Sequence, residues 1–314
     1  MRRLVTLALV LAPSSLLTSV AAAGDDPEPL VRAARYPLHG TVDPARSGAV
    51  ETRRAPDGHL WVKPLVDGKE IGWFMFDTGK TGMSIEPSVA EAHGIPVVGE
   101  AELYGIGGVS KGQRFRMKSF ELGPFRAEGL EAETMIPMRM PPGEERPVGV
   151  VGSWVLRDLV TEIDLTKNTI ALHAPASYRR SGVNWLPTKM RPDVPAVQVK
   201  VEGQPIWLLV DTGMPGAISL FDPATAERLR LIAKEGGPRI QAVGSDGRPL
   251  DLRFMSARKV DFAGEARENV TIAVPASAMA PARPALQGLL GNRMLDGRTV
   301  VIDGPRKRVG LIES

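Results

Sequence analysis

Two Asp-Thr-Gly triplets stand in the chain, at Asp77-Thr78-Gly79 and Asp211-Thr212-Gly213. One alone is weak evidence, since Asp readily accepts from nearby backbone N–H groups in a turn and Gly readily takes positive φ. The second copy changes its weight. Each triplet closes an apolar run, Trp73-Phe74-Met75-Phe76 or Trp207-Leu208-Leu209-Val210, with the Trp four residues before the Asp in both. Buried strands ending this way aim two carboxylates at the place where the two halves of the chain meet. Carboxyls held at hydrogen-bonding distance cannot both ionise cheaply, so they share one proton and can act as general acid and general base.

The elements that position these residues come from an internal duplication, in which residues 58–172 match 194–311. Upstream of each Asp, Leu65-Val66-Asp67-Gly68-Lys69 and Val199-Lys200-Val201-Glu202-Gly203-Gln204 read as strands entering a tight Gly turn, so each unit is a hairpin feeding its aspartate. Downstream, Gly149-Val150-Val151-Gly152 corresponds to Gly288-Leu289-Leu290-Gly291. The spacing then stays locked, with Asp164 and Asp303 each 12 residues after Gly152 and Gly291, and Leu172 and Leu311 each 8 further on. Helical signals are confined to Pro87–His93, Pro223–Leu231 and short stretches after Gly152 and Gly291. With 33 Gly, 27 Pro and only 5% aromatic residues, the remainder reads as short strands and turns. The expected fold is all-β: two tandem closed-barrel lobes about a pseudo-twofold axis, at 58–172 and 184–314, joined by a linker at 173–183 rich in Pro, Ser and Arg.

Other chemistries find little support. The chain has no Cys, hence no thiol nucleophile and no thiolate metal site. His39, His59, His93 and His173 have no metal-ligand spacing, and no G-x-S-x-G elbow is present. No metal or other cofactor is therefore expected. A formal net charge of +3 with Lys and Arg scattered among acids gives no footprint for nucleic acid, and Arg306-Lys307-Arg308 reads as a solvated turn. The Pro- and Met-rich stretches 135–147 and 275–284 read as plain loop packing.

Taken together, the two Asp-Thr-Gly turns with Val150-Val151-Gly152 and Leu289-Leu290-Gly291 make the chain resemble the retropepsin and pepsin superfamily of aspartic peptidases over 58–311. The resemblance implies that Asp77 and Asp211 form a catalytic dyad, that Thr78 and Thr212 brace the turns by hydrogen bonds across the axis, and that Gly79 and Gly213 permit close approach. It implies hydrophobic-hydrophobic-Gly elements packed beneath the turns, and a water activated by the ionised aspartate while the protonated one polarises the scissile carbonyl. Tyr104-Gly105-Ile106-Gly107-Gly108 looks like a family flap, and Val243-Gly244-Ser245-Asp246-Gly247 occupies the matching place in the second copy. As a dinucleotide fingerprint this Gly cluster fails, lacking the required strand, helix and later acid. The family usually has Ala or Ser after the triplet, whereas here Lys80 and Met214-Pro215 stand. Lys80 either lowers the pKa of the dyad or carries its ammonium out to solvent.

Peptide or unfolded protein is then the expected substrate, taken by a monomer whose pseudo-dimer is internal. The alternative is a non-catalytic bilobal protein of the same fold that binds peptides or cell-envelope polymers. Basic Arg2-Arg3, an apolar stretch 4–20 broken at Pro13-Ser14-Ser15, and Ala21-Ala22-Ala23 read as a signal peptide cleaved after Ala23. This predicts a periplasmic or secreted protein with no membrane segment after cleavage. Residues 24–57 read as a disordered lead or a pro-segment.

Overall fold

A computed structural model describes residues 39–313, apart from 57, 139, 141–142, 192, 215–218, 234–239 and 280–286. The expected signal peptide lies outside the described residues.

The hairpins form as their turn residues dictate. Asp67 and Gly68 take φ of 50° and 76°, Glu202 and Gly203 take 51° and 78°, the left-handed pair that a two-residue hairpin turn demands. The second hairpin is long and continuous, Val194–Val201 with Gln204–Val210, whereas in the first copy the returning strand breaks after Lys69–Glu70 and resumes as Phe74–Asp77. Each Asp-bearing strand then pairs in parallel with its hydrophobic-hydrophobic-Gly element: Val150 lies beside Met75 and Val151 beside Phe76, as Leu289 lies beside Leu209 and Leu290 beside Val210. The hydrophobic-hydrophobic-Gly strands are buried at every position, in keeping with a central place, while the Asp-bearing strands alternate buried and half-buried residues as they approach the turn. The four helical signals appear as short α-helices at Pro87–Ala92 and Pro223–Arg228 and as 3₁₀ turns at Ser153–Asp158 and Asn292–Met294.

The chain is mostly β, and the two lobes differ in how far the pairing of their described strands closes the sheet. In the first lobe the strand order runs as an open path from Thr52–Arg54 to Lys69–Glu70. In the second, pairing of Val194–Val201 with Pro249–Phe262 brings the sheet back on itself, while one step of that ring rests on a single pair, Leu220 with Ala273.

A third sheet, of six strands, belongs to both lobes. The hairpin Val160–Asp164 with Thr169–His173 closes the first copy, and Arg298–Asp303 with Arg308–Glu313 closes the second. They meet edge to edge and antiparallel, Val160 opposite Asp303 and Asp164 opposite Thr299. Because Asp164 and Asp303 are equivalent in the duplication, the pairing maps onto itself when the lobes are exchanged, as an isologous contact must. Both aspartates anchor the turn of their hairpin, Asp164 accepting from the Thr166 and Lys167 amides and Asp303 from that of Arg306.

Residues 39–56, assigned from sequence to a lead or pro-segment, carry strands. Gly48–Val50 forms the edge of the shared sheet beside Thr169–His173, and Thr52–Arg54 pairs with Leu60–Val62. Residues 174–183 cross between the lobes without a strand. The apolar core runs through both lobes and includes Phe120, Phe125 and Trp154, whose rings pack at centroid distances of 5.3–6.4 Å. No helix among the described residues is long and apolar enough to cross a membrane.

Candidate active site

The parallel strands deliver Asp77 and Asp211 to one point. A Cβ placed on Gly79 would lie 2.5 Å from Asp211 Cγ, and one on Gly213 would lie 2.6 Å from Asp77 Cγ. Each turn is therefore seated against the other's carboxyl, at a distance only glycine tolerates. Within each turn the carboxylate is held by its own backbone: Gly79 and Lys80 amides donate to Asp77 Oδ1 at 2.8 and 3.1 Å, and the Gly213 amide to Asp211 Oδ1 at 2.8 Å.

The threonines lace the turns together. Thr78 Oγ1 donates to the Val210 carbonyl at 2.7 Å and accepts from the Thr212 amide at 3.1 Å; reciprocally, Thr212 Oγ1 donates to the Phe76 carbonyl at 2.8 Å and accepts from the Thr78 amide at 3.0 Å. All four bonds cross between lobes and are buried, so losing either hydroxyl strands a backbone donor and acceptor away from water.

Underneath, Gly152 is required by crowding, since a Cβ there would sit 2.1 Å from the Gly82 carbonyl oxygen. The 3₁₀ turns that follow tie back to the loops, Ser153 N donating to the Lys80 carbonyl at 2.7 Å and Asn292 N to the Met214 carbonyl at 3.3 Å. Two supports were not evident from sequence. His59 Nε2 lies 3.1 Å from the Gly213 carbonyl across the lobe boundary, and Asn292 Nδ2 donates to the Thr212 carbonyl at 3.4 Å. The place of Asn292 directly after the second hydrophobic-hydrophobic-Gly element is a signal that could have found it; His59 carries none beyond its nearness to an apolar strand.

The electrostatics of the pair are unequal. Asp211 is 7% exposed, and burial above all, then the charge and hydrogen bond of Asp77, push its carboxyl well above the usual carboxylate range, against a smaller downward pull from the Gly213 amide. Two carboxyls coupled in this way titrate as a pair. Lys80 does not carry its ammonium out to solvent: the ammonium faces Glu133 Oε2 at 3.6 Å, with only 16% of its side chain exposed.

Both Gly-rich segments sit at hairpin tips. The first, between Val97–Gly105 and Gly108–Leu122, reaches the second, between Ile240–Val243 and Pro249–Phe262. Ser110 Oγ donates to the Asp246 carbonyl at 2.7 Å and Ser245 Oγ to the Tyr104 carbonyl at 3.3 Å, so the tips clasp one another. Val243 and Tyr104 remain exposed, while Ile106 packs against the second lobe's small apolar cluster of Leu220, Leu250, Ala273, Met279 and Leu289. Among the described residues no group of His, Cys, Asp and Glu could hold a metal ion.

Fold and turns together define a bilobal protein with one Asp-Thr-Gly turn per lobe. The aspartyl protease family model matches residues 62–153 and 197–294, one match in each lobe and together more than half of the chain. The chain belongs to the aspartyl protease family. No curated protein matches it significantly.

Proposed function

We propose that the chain is an aspartic endopeptidase in which Asp77 and Asp211 activate a water for attack on a peptide carbonyl. The observation that carries this reading is the mutual seating of the two carboxyls, each against the glycine of the opposite turn. Asp211, held protonated by burial and by its neighbour, donates to the scissile carbonyl and stabilises the oxygen as it gains charge; Asp77 takes the proton of the water. That proton then passes to the leaving amine, and no covalent intermediate forms. Because one proton on the pair is needed, activity follows a bell and favours mildly acidic pH. The clasped hairpin tips support a role as covers that part to admit an extended peptide and then exclude water. The basic and apolar residues 2–20 and the Ala21-Ala22-Ala23 site support export to the periplasm or beyond, with removal of residues 1–23.

Incubation of the mature chain with an unfolded peptide library, with products read by mass spectrometry, tests the proposal. Asp77→Ala and Asp211→Ala should each lower cleavage by at least about a thousandfold. Equal product from the wild type and both variants would remove the dyad.

A further inference from the structure

At the apex of the second hairpin, residues 243–249, Asp246 alone is buried. It is 2% exposed, while Val243, Ser245, Arg248 and Pro249 around it lie open. The cover comes from the other lobe. A Cβ on Gly105 would stand 2.7 Å from the Asp246 amide nitrogen and 2.8 Å from its Cγ, and one on Gly107 would stand 3.1 Å from Oδ2. The first tip is thus a glycine seat that receives the Asp246 turn.

Several contacts favour this closed arrangement. Ser110 Oγ donates to the Asp246 carbonyl and Ser245 Oγ to that of Tyr104, and Ile106 packs against the second lobe's apolar cluster. On the opposite side, a Cβ on Gly247 would reach Ile136 of the first lobe at 3.1 Å. Against these stands the side chain of Asp246 itself. Its Oδ1 accepts from the Arg248 amide at 3.1 Å, but Oδ2 is buried with no hydrogen-bond partner among the described residues. The guanidinium of Arg248 runs along the opposite tip, where a Cβ on Gly108 would stand 3.2 Å from Nη1. A carboxylate oxygen taken from water without a donor costs free energy, and parting of the tips lets water return to it.

We propose that the clasp is a latch across the cleft and that Asp246 is its counterweight. The stranded oxygen opposes the contacts around it and keeps closed tips close in free energy to parted ones, so that an incoming chain can open them. The cleft is taken to be the peptide groove of the reading above, while the latch itself is tested without any cleavage.

The chain has no Cys, so Lys111→Cys with Arg253→Cys places one spin label on an exposed position of each hairpin and nowhere else. Pulsed electron paramagnetic resonance then reads the separation of the hairpins. In this background Ser110→Ala, which removes one bond of the clasp, should bring a second, longer distance into view. Adding Asp246→Asn keeps an acceptor for the Arg248 amide, and a neutral carboxamide costs less to bury unpaired than a carboxylate. It should lower the ratio of parted to closed tips by about tenfold. Gly105→Ala should do the reverse, since its methyl collides with the Asp246 turn. Capture of a fluorescein-labelled unfolded peptide, followed by stopped-flow anisotropy, should be about tenfold slower in Asp246→Asn, because only parted tips admit it. The proposal is overturned if Asp246→Asn leaves the long-distance population unchanged or enlarges it, if neither Ser110→Ala nor Gly105→Ala produces one, or if a tightened clasp captures peptide at the wild-type rate. If the wild type neither binds nor cuts peptide, the peptidase reading fails, and the distances alone still decide the latch.

Discussion

Burial and a neighbouring carboxylate act on Asp211 in the same direction, and the consequence for stability has a definite sign. A carboxyl whose pKa is raised by folding contributes its full stability below its unfolded value, about 4, and that stability is lost as pH climbs through the folded value. Asn at this position is neutral at every pH and keeps a donor to offer Asp77. Asp211→Asn should therefore raise the melting temperature at pH 7 by at least about 2–4 °C, with a smaller gain at pH 4. Thermal melts at the two pH values check this, and an equal gain at both would contradict it. The aspartates, threonines and glycines of the turns were legible from sequence because their roles follow from residue type and from their repetition. The partner of Lys80 was not. Glu133 alternates with buried Ala132 along Phe125–Thr134, so a strand reading gives its face but not the lysine that faces it from another loop.

At the scale of elements, what holds each aspartate is the parallel strand beneath it and the 3₁₀ turn that follows. Trp154, the second residue of the turn after Gly152, is fully buried against Phe120 and Phe125, and its amide donates to the Thr81 carbonyl. Trp154→Ala should cost about 3–5 kcal/mol in urea unfolding, the range for large aromatic truncations in cores. It should also lower peptide cleavage in the folded fraction, because the Lys80–Gly82 loop loses its floor. A loss below about 1 kcal/mol would mean that the turn does not depend on this packing. The hairpins were readable because their alternation ends at Gly68 and Gly203, and glycine takes positive φ freely. The interruption between Lys69–Glu70 and Phe74–Asp77 was not, since Ile71-Gly72-Trp73 continues the pattern of a strand.

At the scale of the molecule, the six-stranded sheet makes the lobes one folding unit. Its central pair joins residues more than a hundred positions apart, and residues before the first lobe supply one of its edges. Alternation shows which face of a strand is buried, not which edge it meets, so the sequence assigns these strands to separate lobes and does not reveal the shared sheet. Cross-lobe threonine bonds and a shared sheet predict a single calorimetric transition whose van't Hoff and calorimetric enthalpies agree. Two resolved transitions, one per lobe, would show that the halves fold independently.

The fusion of both lobes into one polypeptide also has a consequence that the dyad alone does not reveal. Two identical subunits about a true axis must present the same wall twice and cannot tell which way a captured polymer points. Here the duplicated halves have diverged, with Lys80 after the first triplet and Met214 after the second. A peptide has an amino end and a carboxyl end, so under the proposed function unlike halves give the groove a compass: the two orientations of an incoming strand are no longer equivalent.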